Sequence, residues 1–158
     1  MRLLALDAHA LGGKVFILDG PEVPRLVEII AAERQWWVVV MPGMIDTVIA
    51  ELKARRLVPK GVRRVGVLAD LLPRKTVAEI SGLLRAPFWN TFGSTETGMV
   101  PASGTTFPPG VEPQSVAKAH NSLYAWRLVD PDDRDVTQGQ PGEIAVRGPT
   151  IFSGYWNA

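Results

Sequence analysis

The sequence predicts an α/β fold, with a parallel sheet and crossover helices in residues 1–110 and a small antiparallel β portion in residues 111–158. The first observation is that short β-branched apolar runs alternate with longer segments whose apolar residues recur at helical spacing. The second is a change of composition after about residue 110, where apolar stretches are separated by turns rich in Pro, Gly and Asp. We therefore expect two structural regions that meet near residue 110.

The strands and helices of the first region follow from the spacing of apolar residues. Because parallel neighbours need crossover connections, regular alternation of the two patterns predicts parallel strands covered by helices. Trp36 and Trp37 open one apolar run, and a strand covered on both faces explains them better than a ligand-binding box. The predicted strands are residues 15–18, 36–40, 62–69 and 86–92, and the predicted helices are residues 22–35, 45–56 and 75–85.

The second region reads differently from the first. Residues 100–113 are rich in Pro, Gly, Ser and Thr and have no regular periodicity, which predicts a loop. Residues 123–129 and 143–147 are short apolar stretches separated by turn-rich segments, which predicts an antiparallel pair of strands.

Composition excludes several classes of function. The chain of 158 residues carries 17 basic and 16 acidic residues, with no long run of either sign, so we expect no nucleic-acid partner. It has no cysteine and only two histidines, which argues against a zinc centre. The sequence contains no apolar stretch long enough for a membrane span and no recognisable signal peptide, so we expect a cytoplasmic protein.

Residues 92–98, the first motif, read Phe-Gly-Ser-Thr-Glu-Thr-Gly. The ring of Phe92 offers a stacking face, Gly93 allows close backbone approach, Thr95 offers a hydroxyl and Glu96 a carboxylate. These are the needs of a nucleotide phosphate site. A plain turn or a helix cap would use the same residue types, so this string alone leaves both interpretations open.

Residues 141–156, the second motif, begin Pro-Gly-Glu-Ile-Ala-Val-Arg-Gly-Pro and end Gly-Tyr-Trp. Together the two motifs resemble the adenylate-forming superfamily, which includes acyl-CoA synthetases, aryl-CoA ligases, luciferases and the adenylation domains of peptide synthetases. In that family an aromatic-Gly-x-Thr-Glu loop is followed by a Gly-Glu-[Ile/Leu] strand and a Gly-Tyr turn. The resemblance identifies the chain as a central fragment of the family's large N-terminal domain.

The resemblance implies roles for individual residues. Phe92 would lie against adenine, Asn90 would place an amide at the adenine edge, and Gly93 would let the nucleotide approach the backbone. Thr95 would hydrogen-bond the α-phosphate and Glu96 would help to hold Mg²⁺, so these two would be the catalytic residues.

The implied reaction joins a small-molecule carboxylic acid to ATP and releases pyrophosphate. The acyl-AMP formed in this way would then react with a thiol, with CoA as the expected co-substrate. An acyl-CoA synthetase, for instance of fatty acid metabolism, is the parent enzyme that we expect.

The chain also departs from the family pattern. No Ser/Thr/Gly-rich loop with Pro-Lys-Gly precedes the first motif, and the ribose-binding aspartate and the catalytic lysine have no counterpart, so we expect the isolated chain to be inactive. Where the family has Gly-Gly-Ala, this sequence has Val67-Leu68-Ala69, which we expect to reshape the nucleotide pocket. Residues 115–118 read Ser-Val-Ala-Lys in place of Val-Gly-[Lys/Arg]-Pro.

Two other classes of protein stay open at this point. One is a non-catalytic nucleotide-binding or structural module, which would self-associate through apolar surface around residues 36–40. The other is an unrelated α/β nucleotide-binding domain, whose late strands would join the parallel sheet. The acid is not determined, although Trp89, Met99 and Phe107 are candidate wall residues for its pocket.

Overall fold

The computed structural model of the chain describes residues 8–20, 22–66 and 68–157, and it describes residues 99–103 by their backbone only. The three predicted helices are confirmed, each a few residues shorter than its pattern. They are α1 (Val23–Ala32), α2 (Ile45–Ala54) and α3 (Arg74–Leu84), with single 3₁₀ turns at Pro42–Met44 and Ala69–Leu71. The strands are β1 (Phe88–Ser94), β2 (Gly98–Phe107), β3 (Ala125–Val129) and β4 (Glu143–Arg147).

The three helices form because their apolar residues fall on one face. In α1 a proline lies in the first turn, where the backbone needs no hydrogen-bond donor, and Val23, Val27 and Ile30 are buried at spacings of four and three. The same spacing buries Val48 and Leu52 in α2. The buried stripes of the helices pack together in one hydrophobic core.

Three extended segments run side by side beneath the helices. Val38 forms a parallel bridge with Val65, and Val65 forms one with Phe88. The Val38 N–H donates to the Arg64 carbonyl at 2.9 Å, and the Trp89 N–H donates to the Val65 carbonyl at 2.8 Å. The pairing consists of isolated bridges and not of a continuous ladder, so the predicted parallel sheet is not confirmed.

The core requires a glycine where two of these segments touch. Gly66 has a φ of +87°, and a Cβ on it would lie 2.2 Å from the ring of Phe88. Phe88 and Val65 are completely buried. The close approach of the Phe88 ring to the Gly66 backbone therefore fixes the start of β1 against the central segment.

The prediction of a buried strand at residues 15–18 is wrong. The structure forms no strand there, and the side chain of Ile17 is 85% exposed. A run of four apolar residues gives too little buried area to order a strand without a neighbour to pair with.

The two adjacent tryptophans have different environments. Trp37 is half-buried, its indole N–H donates to the Gly66 carbonyl at 2.8 Å, and its ring lies 4.8 Å from that of Trp89. Trp36 is 58% exposed, and the guanidinium of Arg63 lies 4.5 Å from its ring centre. The prediction of packing on both faces is therefore wrong for Trp36, whose exposed ring instead pairs with a cation.

β1 and β2 form an antiparallel hairpin, which corrects two predictions. β1 continues to Ser94 instead of ending at residue 92, and the loop predicted for residues 100–113 is a strand as far as Phe107. Asn90 pairs with Thr105 and Thr91 with Ser103, so Gly104 has no partner in the ladder. The glycine that suggested a loop falls at a register shift, where strands tolerate it.

β3 and β4 form the predicted antiparallel pair, in which Leu128 lies opposite Ile144. These late strands pair with each other, which argues against the unrelated α/β domain considered above. The boundary near residue 110 stays a prediction. Among the described residues, no helix is both long and apolar enough to cross a bilayer.

Candidate functional site

The first motif forms the tip of the β1–β2 hairpin and not an open loop. The Ser94 N–H donates to the Thr97 hydroxyl oxygen at 3.1 Å, and the Thr97 N–H donates to the Ser94 hydroxyl oxygen at 3.3 Å. Gly98 follows with a φ of +67°, a conformation that suits glycine. Ser94 and Thr97 therefore close the turn, and Thr95 and Glu96 lie at its end.

Thr95 and Gly93 lie on the surface of this tip. Both are exposed, and the described part of the chain offers the Thr95 hydroxyl no hydrogen bond. An exposed hydroxyl near an exposed glycine backbone can receive an anionic group such as a phosphate.

Glu96 is the charged group of the tip. The Ser94 hydroxyl, the Tyr155 hydroxyl and a backbone N–H donate to its carboxylate and lower its pKa from 4.5 to about 2. The same hydrogen bond to Glu96 raises the pKa of Tyr155. Glu96 is therefore ionised at neutral pH, the state in which a carboxylate binds a cation.

The second motif contacts the first directly. The Phe152 N–H donates to the Glu96 carbonyl at 2.9 Å, and the Thr150 hydroxyl donates to the Thr97 carbonyl at 2.7 Å. The hydroxyl of Tyr155 donates to the Glu96 carboxylate across 59 positions of the sequence. The two motifs that carry the family resemblance thus form one structural unit.

Tyr124, the residue before β3, contacts the second motif. Its hydroxyl lies 2.8 Å from the hydroxyl of Thr150, and its ring is buried. A Cβ on Gly148 would lie 2.0 Å from that ring, so only glycine fits there. Sequence reasoning missed Tyr124, Thr150 and Tyr155, although the last two lie within the second motif.

Phe92 is half-buried and lies against Trp126, with 5.9 Å between the ring centres. Such a ring can contact a flat base on its free side while Trp126 holds the other.

Asn90 lies beneath the site and not at its surface. Its side chain is completely buried, its Oδ1 accepts from the Ala69 N–H at 3.0 Å, and its Nδ2 donates to the Val116 carbonyl at 2.8 Å. In this conformation Asn90 has no exposed atom to offer adenine. The side chain instead ties β1 to the two segments that depart from the family pattern.

The structure also locates those departures. Val67 lies outside the described residues, Leu68 is half-buried and Ala69 is buried. Lys118, in the second segment, forms an ion pair with Asp70. The predicted reshaping of the pocket by Val67 and Leu68 stays a prediction.

The candidate wall residues are not brought together on one surface. Trp89 stacks on Trp37, whereas Phe107 is 8% exposed and belongs to the core. Trp89 lies opposite Thr106 and Phe107 opposite Phe88, so the two side chains point to opposite faces of the hairpin. Met99 is among the residues described by their backbone only.

No cage of three or more His, Cys, Asp or Glu side chains occurs within the described ranges. Glu96 therefore enters the site as a single carboxylate. A cation held there would need ligands from a bound molecule as well.

Comparisons with known proteins show which family the chain resembles in sequence and fold. An indoleacetate–CoA ligase of Aromatoleum aromaticum is 29% identical over 152 residues, which cover 95% of this chain and 29% of the ligase. A long-chain-fatty-acid–CoA ligase of Escherichia coli O157:H7 is 60% identical over 30 residues, 19% of this chain and 5% of that protein. The structure of a benzoate CoA ligase from Burkholderia xenovorans matches with a TM-score of 0.66 and 20% identity, covering 89% of this chain and 28% of the ligase.

The chain thus spans less than a third of the length of the indoleacetate–CoA ligase and of the benzoate CoA ligase. The sequence model of the family described as "AMP-binding enzyme" matches residues 3–156, nearly the whole chain. The chain belongs to the AMP-binding enzyme family.

Proposed function

We propose that this chain is the central part of an ATP-dependent ligase that activates a carboxylic acid as its acyl-AMP and then forms a CoA thioester. The observation that carries the proposal is the hairpin tip, where Thr95 is exposed and is followed by the ionised carboxylate of Glu96. Relatives named as CoA ligases support the thioester step.

In this proposal the hairpin tip binds the nucleotide. Thr95 donates to the α-phosphate, Gly93 permits close approach of the phosphate, and Phe92 lies against the base. Developing negative charge on the phosphate is stabilised by donors that are already in place, which is how such sites lower a barrier. Asn90 supports the tip from below and does not touch the nucleotide in the conformation described.

The site fits Mg²⁺ as the metal. Mg²⁺ is usually held by one or two carboxylates together with substrate phosphates, and Glu96 supplies one ionised carboxylate. Mg²⁺ would neutralise phosphate charge when bound. Glu96 would contribute an oxygen ligand, and Ser94 and Tyr155 would keep that oxygen in place.

The three aligned segments around Val38, Val65 and Phe88 support a second part of the proposal. We infer that they belong to a parallel sheet that continues in a longer polypeptide. The isolated 158-residue chain then lacks the groups that would hold pyrophosphate and ribose, and it is inactive. ATP–pyrophosphate exchange by the purified chain with any carboxylic acid would contradict this inference. The cytoplasmic location stays a prediction from the sequence.

A second candidate function is a non-catalytic module that binds nucleotide or self-associates. It is favoured by apolar side chains that remain exposed on one face of the β3–β4 pair. Leu128 is 47% and Ile144 45% exposed, and they lie opposite each other. Sedimentation of the purified chain helps to distinguish the ligase from the non-catalytic module. A stable oligomer of the chain, together with no ligase activity in the longer polypeptide, would favour the module.

The nucleotide site can be tested by calorimetric titration of the purified chain with AMP in Mg²⁺. We expect binding that is weakened about tenfold or more by Thr95→Ala and by Glu96→Ala. Thr137→Ala and Glu112→Ala are matched controls, because both residues are exposed and lie outside the hairpin tip. Absence of AMP binding, or equal binding by all four variants, would contradict the proposed site.

A further inference from the structure

Tyr155 contacts the site without belonging to the hairpin that forms it. The 148–155 segment reaches the hairpin tip through three hydrogen bonds, from Thr150 to the Thr97 carbonyl, from Phe152 to the Glu96 carbonyl and from Tyr155 to the Glu96 carboxylate. The first two hold the backbone of the turn. Only the third holds the side chain that carries the charge.

The carboxylate of Glu96 needs an external partner to keep one orientation. A glutamate side chain has three rotatable bonds, and its terminal torsion has no sharp preference. The Ser94 hydroxyl and the backbone N–H of Glu96 also donate to this carboxylate, but both donors belong to the turn that carries it. The Tyr155 hydroxyl is a donor from a different segment, and it ties the carboxylate to a point outside that turn.

Packing does not explain why the Tyr155 hydroxyl is placed there. The Tyr155 side chain is 57% exposed, and its ring touches Phe152 edge-on with 4.8 Å between the ring centres. The neighbouring Trp156 is 93% exposed. The hydroxyl therefore adds little burial, and its evident effect is on Glu96.

We propose that Tyr155 is a positioning residue, whose hydroxyl fixes the Glu96 carboxylate in the orientation that receives the cation of a bound nucleotide. The orienting contact itself is a property of the free chain. Its consequence for the cation rests on the function proposed above. Donors outside a ligand set commonly change metal affinity about 10- to 100-fold through such orientation.

The first test measures the turn without any nucleotide. Tyr155→Phe removes the hydroxyl and keeps the ring against Phe152, while Trp156→Phe is the matched control. We expect the Glu96 side chain to keep one rotamer in the unmodified chain and to average over several rotamers in Tyr155→Phe, as measured by NMR three-bond couplings of that side chain. A single, unchanged Glu96 rotamer in Tyr155→Phe would overturn the proposal.

The second test measures AMP affinity by calorimetry with Mg²⁺ and with EDTA. We expect Tyr155→Phe to weaken AMP binding about tenfold in Mg²⁺ and to leave it unchanged in EDTA. Equal weakening in both media would show a structural role only and would overturn the positioning role. If the unmodified chain binds no AMP, the proposed nucleotide site fails, and the side-chain couplings of Glu96 still decide whether Tyr155 holds its carboxylate.

Discussion

Replacing Asn90 by alanine tests whether this residue supports the hairpin from below. The substitution deletes the acceptor of the Ala69 N–H and the donor to the Val116 carbonyl, two bonds of 3.0 and 2.8 Å made by a completely buried side chain. A buried backbone group without a partner costs about 1–3 kcal/mol, so we expect Asn90→Ala to lose about 3 kcal/mol of unfolding free energy. That is a large share of the stability of a small domain.

The assay is urea unfolding followed by tryptophan fluorescence. Asn121→Ala is the control, because its amide accepts the Leu123 N–H at 2.9 Å near the surface, where water can replace the lost bond. We expect the control to lose about 1 kcal/mol or less. A loss below about 1 kcal/mol for Asn90→Ala, equal to that of the control, would refute the supporting role and would favour the original expectation that Asn90 serves a ligand.

Three further predictions concern the second motif, the charge of Glu96 and the exposed apolar face of the β3–β4 pair. Gly148→Ala places a Cβ 2.0 Å from the ring of Tyr124 and should lower the melting temperature, at a cost of about 1–3 kcal/mol; an unchanged melting temperature would contradict the packing. Because the pKa of Glu96 is lowered to about 2, its contribution to stability is present above pH 4.5 and is lost as pH falls toward 2. Carbon-detected NMR titration should measure the lowered pKa of the Glu96 carboxyl, and this pKa should move back toward 4.5 in Tyr155→Phe. Leu128→Lys should reduce any self-association seen by sedimentation, since it charges an exposed apolar position.

The helices could be predicted from sequence because their apolar spacing is a local signal. The periodicity that buries Val48 and Leu52 in α2 is visible without any knowledge of the partner elements. The β1–β2 hairpin was not predicted: β1 was expected as a strand of a parallel sheet, and most of β2 was expected as a loop because its Pro, Gly, Ser and Thr residues resemble a loop signal. Residues 15–18 show the opposite error, since an apolar run without a pairing partner does not become a strand.

The residues of the candidate site also differ in how far they could be predicted from local sequence. Phe92, Gly93, Thr95 and Glu96 could be selected because the first motif is contiguous, and their roles toward a nucleotide stay proposals. Asn90, two residues before this motif, was assigned to the adenine edge by the family resemblance, yet its side chain bonds to the backbone of Ala69 and Val116. Hydrogen-bond partners more than twenty positions away, such as those of Asn90, cannot be predicted from the residues of one short motif.

The contact between the two motifs gives a physical reason for their occurrence in one chain. Ser94 and Thr97 close the turn with bonds inside the first motif, so the second motif is not needed to form the hairpin tip. The carboxylate of Glu96 is different, because its second side-chain donor is Tyr155, 59 positions later. Gly148 admits the ring of Tyr124, whose hydroxyl lies beside that of Thr150. The first motif therefore supplies the charged group and the second supplies a hydrogen bond to it, so a change in either motif alters the surroundings of the same carboxylate.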